Sequence, residues 1–127
     1  MKKVLSTSNA PAAIGPYSQG ISDCGEIVFV SGQIPVNPES GTIESDSIEG
    51  QARQSLKNAG AVLSAAGLSY EDVVKTTCFI TEMSDFAVFN NVYSEFFAGD
   101  CPARSCVAVK QLPKGALCEI EVIAIKH

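Results

Sequence analysis

Two stretches of the chain place apolar residues at the spacing of one helix face. The first opens at Asp46 and Glu49, which resemble a capping box, and ends at Gly67. Its apolar positions are Ile48, Ala52, Leu56, Ala59, Leu63 and Ala66. The second opens at Asp85 and carries an aromatic stripe formed by Phe86, Phe89, Tyr93 and Phe97. The pattern therefore predicts two amphipathic helices.

Runs of β-branched and aromatic residues predict the strands. A short first strand precedes an irregular loop at residues 9–16, which contains two prolines and a glycine. Residues 17–22 and 26–31 flank Asp23-Cys24-Gly25, and we expect them to form a hairpin. Further strands are predicted at residues 73–81, 105–110 and 118–126. With the two helices in place, the predicted order is βββαβαββ.

The number and polarity of these elements indicate the fold class. We expect a single α+β domain over residues 1–127, with two helices on one face of a mixed five- or six-stranded sheet. Ile27 and Phe29 point to one side of their strand while Val28 and Val30 point to the other, so both sides are apolar. A soluble monomer is not expected to expose a large apolar sheet face, and other copies of the chain should therefore cover it.

The overall composition narrows the class of function. Fourteen Asp and Glu residues against nine Lys and Arg give a net charge of -5, which repels phosphate backbones, and no basic patch opposes it. We therefore expect no nucleic-acid partner. The apolar runs are too short for a membrane span, and no signal-peptide core follows Met1. A cytoplasmic protein without membrane association is expected.

The cysteines and the histidine exclude several kinds of site. Five cysteines form no Cys-x-x-Cys pair, and the only histidine is the last residue, His127. Free thiols are therefore expected, and neither a metal site nor a Ser-His-Asp or Cys-His nucleophile is supported. An enzyme with this composition would have to work with carboxylates, arginine, backbone dipoles and water.

The chain has two arginines in different settings. Arg53 lies on the first predicted helix, and we interpret it as a solvated charge on the helix surface. Arg104 leads directly into an apolar strand, so it either caps the sheet edge in solvent or points into a cleft. A guanidinium suits a carboxylate because it offers paired donors in one plane. Glu119 and Glu121 share a face of the last strand, where an apolar setting could allow proton exchange, but without a partner residue simple solvation is the favoured interpretation.

Further candidates lie at loop and strand ends. Tyr17 follows Gly15-Pro16, and Ser31-Gly32 closes a strand, so turn formation and ligand contact explain them equally well. Asn90 lies on neither clean face of the second helix. Cys106 has no histidine to activate it, and we expect a small buried side chain whose backbone N–H matters more than its thiol.

Several long motifs occur in order along the chain. The most specific is Pro-Ala-Arg-Ser-Cys-Val-Ala-Val at residues 102–109, continued by Leu-Pro-Lys at 112–114 and Glu-Ile-Glu at 119–121. Residues 9–20, 31–35 and 51–56 carry the others. Nearly end to end, the chain resembles the Rid family, also called YjgF, the reactive intermediate imine deaminases. The resemblance implies a chorismate-mutase-like α+β fold that assembles as a homotrimer with three clefts between subunits.

The resemblance also implies a site and a reaction. Arg104 would grip the substrate carboxylate and Glu119 would orient or activate the hydrolytic water. The cleft would be lined by Tyr17, Ser31, Gly32, Asn90 and the backbone of Cys106. Without metal or organic cofactor, 2-aminoacrylate and related 2-imino acids would be hydrolysed to 2-oxo acids and ammonia, which prevents damage by these reactive metabolites.

Two alternatives stay open from the sequence. The same arginine could serve a protein that binds or senses a 2-oxo acid without turning it over. Ribonuclease activity or translation inhibition has been attributed to members of the family, but the acidic charge and the lack of a basic or aromatic platform disfavour it here.

Overall fold

The computed structural model describes residues 2–127 and contains the predicted order of helices and strands. The strands are β1 (Lys3–Leu5), β2 (Gly20–Ser22), β3 (Glu26–Gln33), β4 (Val73–Ile80), β5 (Ala103–Ala108) and β6 (Cys118–Lys126). The helices are α1 (Ile48–Ala65), between β3 and β4, and α2 (Phe86–Phe96), between β4 and β5. The prediction of an α+β chain with two helices and a mixed sheet is confirmed.

The main sheet is smaller than predicted. It has four strands in the order β3-β6-β4-β5, antiparallel except for the parallel pair β4 and β5. The prediction of five or six strands is wrong because β1 and β2 form an antiparallel ribbon of their own. This ribbon meets the main sheet through an isolated bridge between Ser18 and Ala103 at the start of β5.

The predicted hairpin of residues 17–22 and 26–31 is also wrong. Residues 23–25 do turn the chain, with Gly25 at a φ of +149°, but the strands on either side enter different sheets. β2 pairs with β1, whereas β3 pairs along its length with β6, from Glu26 opposite Lys126 to Gln33 opposite Ile120. Pairing with β6 lets Val28 and Val30 join the core below the helices.

The core lies between the two helices and one face of the main sheet. α1 contributes Leu56 and Leu63, α2 contributes Phe89 and Tyr93, and β6 contributes Ile120, among other buried residues. These positions follow the predicted apolar stripes. The first helix, however, is capped by the Ser47 side chain, which accepts from Gly50 N at 3.1 Å, and not by Asp46 as predicted. No helix within residues 2–127 is long and apolar enough to cross a bilayer.

The other face of the main sheet is open. It exposes 72% of Phe29 and 54% of Ile27 on β3, together with part of Val107 on β5. A groove in this face is lined by Phe29, Ser31, Lys75, Thr77, Glu121 and Ile123, among others. The prediction that the helices leave one apolar sheet face uncovered is confirmed.

Candidate functional site

Arg104 lies on the helix-covered face of the main sheet. In the parallel pair of β4 and β5 it stands directly opposite Thr76, which is buried beneath α2. Residues opposite one another on neighbouring strands point to the same side of a sheet, so the Arg104 side chain extends toward α2. Its Nη1 donates to Asn90 Oδ1 at 2.6 Å. Of the two readings left open by the sequence, the structure favours the cleft over solvent at the sheet edge.

Three aromatic rings surround the Arg104 guanidinium. Its Cζ lies 4.8 Å from the centroid of the Tyr93 ring, 5.5 Å from that of Phe86 and 5.6 Å from that of Tyr17. At these distances the negative face of each ring attracts the cation. The rings thereby fix the position of the guanidinium without neutralising its charge.

Among the residues that the structure describes, no acid forms an ion pair with Arg104. Within residues 2–127, the arginine that forms ion pairs is Arg53, with Glu95 at 2.7 Å and Glu49 at 3.5 Å. Arg104 has an amide oxygen as its polar partner, so most of its five N–H donors remain available. A half-buried cation in this state offers a planar fork for an incoming carboxylate.

The floor of this site is rigid because Tyr93 is held at both ends. Its hydroxyl and the hydroxyl of Thr76 are hydrogen-bonded at 2.8 Å, and its ring lies between those of Phe89 and Phe97. Burial raises the pKa of Tyr93, so the phenol stays neutral. Tyr93 therefore supports Arg104 as a neutral ring.

Cys106 shares this face with Arg104, since the two residues are two apart on β5. Burial raises the pKa of the Cys106 thiol, and the Arg104 guanidinium only partly opposes that effect. The thiol is therefore protonated near neutral pH, which agrees with the expectation that it is not a nucleophile. Within residues 2–127, β5 is an edge strand of the main sheet, so backbone groups on its outer side beyond the Ser18–Ala103 bridge have no partner strand.

Glu119 lies on the opposite face of the sheet. It pairs with Phe79 on β4, whereas the residues that share a face with Arg104 are Thr76 on β4 and Val122 on β6. Side chains alternate along a strand, so Glu119 points away from the helices. Buried Gln51 on α1 accepts from Leu117 N at 2.7 Å and so fixes the start of β6.

Ser31 and Gly32 lie on the same side of the sheet as Glu119, and not on the side of Arg104. Ser31 is exposed on the open face, in the groove that also contains Glu121. Gly32 lies against the Glu119 side chain so closely that a Cβ at this position would overlap Oε2 and stand 2.8 Å from Cδ. The absence of a side chain at Gly32 is what lets the carboxylate occupy this place.

The predicted site residues thus form two clusters on opposite faces of one chain. We call the first the arginine cluster, which consists of Tyr17, Asn90, Arg104 and Cys106 with the added rings of Phe86 and Tyr93. We call the second the glutamate cluster, which consists of Ser31, Gly32 and Glu119. Because the sheet separates them, one chain cannot bring both clusters to the same small molecule.

Phe86 and Tyr93 were missed as site residues by the sequence interpretation, which counted them only as packing positions. Their spacing from Asn90, four residues before and three after, places all three on one face of α2. The prediction that Asn90 lies on neither clean face is therefore wrong. The helical spacing was the signal that could have joined the amide and the rings in one site.

Residues 2–127 contain no group of three or more His, Cys, Asp or Glu side chains arranged to hold a metal ion. The chemistry of the two clusters is that of one cation, one carboxylate, aromatic rings and neutral hydrogen-bonding groups. Such a set suits a small anionic ligand.

Comparisons with known proteins agree with this description. A family model described as endoribonuclease L-PSP matches residues 7–126. The 2-iminobutanoate/2-iminopropanoate deaminase of Escherichia coli K12 is 51% identical over 130 residues, which cover 100% of both chains. The structure of E. coli TdcF with bound serine is 50% identical with a TM-score of 0.76, and covers 98% of this chain and 99% of its own.

A second solved structure, that of the E. coli yjgF gene product, is 48% identical with a TM-score of 0.77, and again covers 98% of this chain and 99% of its own. These matches and the family model together cover the whole main sheet and both clusters. The chain belongs to the Rid/YjgF family, whose family model bears the description endoribonuclease L-PSP.

Proposed function

We propose that this protein is an imine deaminase that hydrolyses 2-iminopropanoate, 2-iminobutanoate and related 2-imino acids to 2-oxo acids and ammonia. The observation that carries the proposal is the unpaired Arg104 guanidinium inside its ring of aromatic side chains. The full-length similarity to an enzyme named for these two substrates supports it. The reaction as proposed uses no metal or organic cofactor.

In this proposal Arg104 binds the substrate carboxylate through two parallel hydrogen bonds, each contributing about 1.5 to 3 kcal/mol. The C=N carbon, next to the carboxylate, then lies over β5, with the backbone at Cys106 beside it. Tyr17 and Asn90, which both contact Arg104, lie beside the bound carboxylate. Because the imine is already electrophilic, positioning and proton transfer supply most of the rate enhancement.

Glu119 acts on water in the proposed reaction. The carboxylate accepts a proton as the water oxygen forms a bond to the imine carbon and the C=N bond becomes single. The same proton is then delivered to nitrogen, which gives a carbinolamine. Glu119 next accepts the proton of the new hydroxyl group and passes it to the amino nitrogen as the C–N bond breaks, so the carbonyl forms and ammonia leaves. One water is consumed, and the carboxylate returns to its starting state.

Both clusters reach one substrate only if they come from different copies of the chain. Each copy presents an arginine cluster on one face and a glutamate cluster on the other, so contact between unlike faces can close into a ring. The open apolar face with Phe29 and Ile27 supplies the surface for this contact. We propose the homotrimer as that ring, with three equivalent sites between subunits.

A coupled assay tests the activity. A dehydratase releases 2-aminoacrylate from serine, and lactate dehydrogenase reports the pyruvate that forms. We expect the protein to accelerate pyruvate formation, and we expect Arg104→Ala and Glu119→Gln to abolish the acceleration. Arg53→Ala is the matched control, because Arg53 pairs with surface glutamates and should be dispensable.

The same assay separates catalysis from binding. Equal pyruvate formation with and without protein would contradict the proposal. If calorimetry then showed pyruvate binding that Arg104→Ala removes, the protein would be a binding or regulatory protein for 2-oxo acids.

A further inference from the structure

Ile14 is an apolar side chain that the structure leaves in solvent. Its exposed fraction is 93%, against 72% for Phe29, the next most exposed large apolar residue within residues 2–127. Unlike Phe29, it lies on a loop and not on the open sheet face. A bulky apolar residue this exposed calls for a contact that the isolated chain does not provide.

The loop that carries Ile14 is held in place at several points. Gln19 Nε2 donates to Ala10 O at 3.3 Å and to Pro11 O at 2.6 Å, at the beginning of the loop. At its end, Tyr17 N donates to Gly15 O at 2.8 Å. Ile14 is thus presented in a fixed position, and its exposure is not that of a frayed segment.

The fixed position is beside the arginine cluster. Ile14 N donates to the Tyr17 hydroxyl at 3.5 Å, and the Tyr17 ring is one of the three around Arg104. The next residue, Gly15, lies so near that a Cβ there would stand 3.7 Å from Arg104 Nη2. The backbone of Ile14 is therefore one residue from the rim of the proposed carboxylate site.

A short 2-imino acid carries two features that match this arrangement. Its carboxylate suits Arg104, and its side chain begins two carbons from the carboxylate carbon, within reach of a residue at the rim of the same site. We propose that Ile14 contacts the substrate side chain and sets the preference for longer over shorter 2-imino acids. This inference rests on the proposed function and adds a specificity residue to it.

The experiment compares two substrates in one preparation. Serine and threonine, each with a dehydratase, supply the three-carbon and four-carbon imines, and kcat/KM is measured for the parent protein, Ile14→Val and Ile14→Ala. We expect Ile14→Ala to lower the ratio of kcat/KM for the four-carbon imine to that for the three-carbon imine about fourfold. This factor corresponds to the burial of one methylene group, and Ile14→Val should give an intermediate ratio. Val88→Ala is the control, because Val88 is also apolar and partly exposed, but it lies two residues from Asn90 on α2 and so faces away from the arginine cluster.

A second readout does not depend on turnover. Calorimetry gives the affinities for 2-oxobutanoate and pyruvate, and we expect Ile14→Ala to lower their ratio by a similar factor. An unchanged ratio in both measurements would overturn the inference. The inference would also be overturned if Ile14→Ala lowered the sedimentation coefficient and reduced kcat/KM equally for both substrates, because Ile14 would then contact a neighbouring copy.

The outcomes also separate this inference from the proposed function. If the parent protein does not accelerate imine hydrolysis but its preference for 2-oxobutanoate depends on Ile14, the activity is refuted and the contact stands. If the parent is active and both ratios are unaffected by Ile14→Ala, the activity stands and the contact is refuted.

Discussion

Replacing Gly32 by alanine should disable the site without unfolding the protein. The new Cβ would overlap Glu119 Oε2 and stand 2.8 Å from its Cδ, whereas carbon atoms in contact normally lie at about 3.5 to 4.0 Å. The carboxyl carbon must therefore retreat by about 0.7 Å or more. The displaced group is the end of a flexible side chain, so the backbone of β3 and β6 can stay in place.

The expected effect follows from the size of that displacement. A misplacement of about 1 Å in a catalytic group costs about a hundredfold in rate, or about 2.7 kcal/mol of transition-state stabilisation. We therefore expect Gly32→Ala to lower kcat/KM for 2-aminoacrylate about a hundredfold in the coupled assay. The melting temperature should change little.

Gly20→Ala is the matched control for this substitution. A Cβ at Gly20 would meet its nearest atom, Leu5 Cβ, at an ordinary 3.5 Å. Full activity in Gly32→Ala, in a protein that Glu119→Gln inactivates, would refute the claim that the position of this carboxylate governs the rate. Inactivity together with a large loss of stability would show that Gly32 serves the fold instead.

Substitutions at three further positions test other parts of the structure. Gly60→Ala, inside α1, should lower the unfolding free energy by about 1 to 3 kcal/mol, because the Cβ would overlap the Tyr70 hydroxyl; a higher melting temperature, usual for Gly to Ala in a helix, would contradict this. Phe29→Asp should give a smaller species in sedimentation, whereas Phe29→Leu should not, since Phe29 is the most exposed large apolar side chain of the open face through which the copies are proposed to meet. Cys106→Ala should keep kcat/KM within about tenfold, because burial raises the pKa of the thiol and keeps it protonated; a loss of about a thousandfold would indicate thiolate chemistry.

Much of the fold could be predicted because it rests on local patterns. The spacing of Leu56 and Leu63 identified α1, and the alternation from Cys118 to Lys126 gave β6 with its observed bounds. Strand partners could not be predicted, because the turn at residues 23–25 looks the same whether β2 and β3 pair or separate. The long-range pairing of β3 with β6 decided that question.

Candidate site residues could be proposed from the sequence one by one, but their arrangement could not. Arg104, Tyr17 and Asn90 come together as the resemblance implied, whereas Glu119 lies across the sheet from them. Alternation along β6 places Glu119 and Val122 on opposite sides of the strand. Only the strand order of the folded sheet shows which of those two sides the helices cover. The division of the site between two faces is therefore a property of the folded sheet.

Mixing of two inactive variants tests most directly whether the site is shared between copies. Arg104→Ala and Glu119→Gln proteins are unfolded together at equal concentrations, refolded, and assayed for hydrolysis of 2-aminoacrylate. Random reassembly leaves about a quarter of the sites with an intact arginine cluster from one copy and an intact glutamate cluster from its neighbour. We expect recovery of about that fraction of the parent activity, and a mixture that reassembles yet stays as inactive as either variant alone would contradict a site shared between copies.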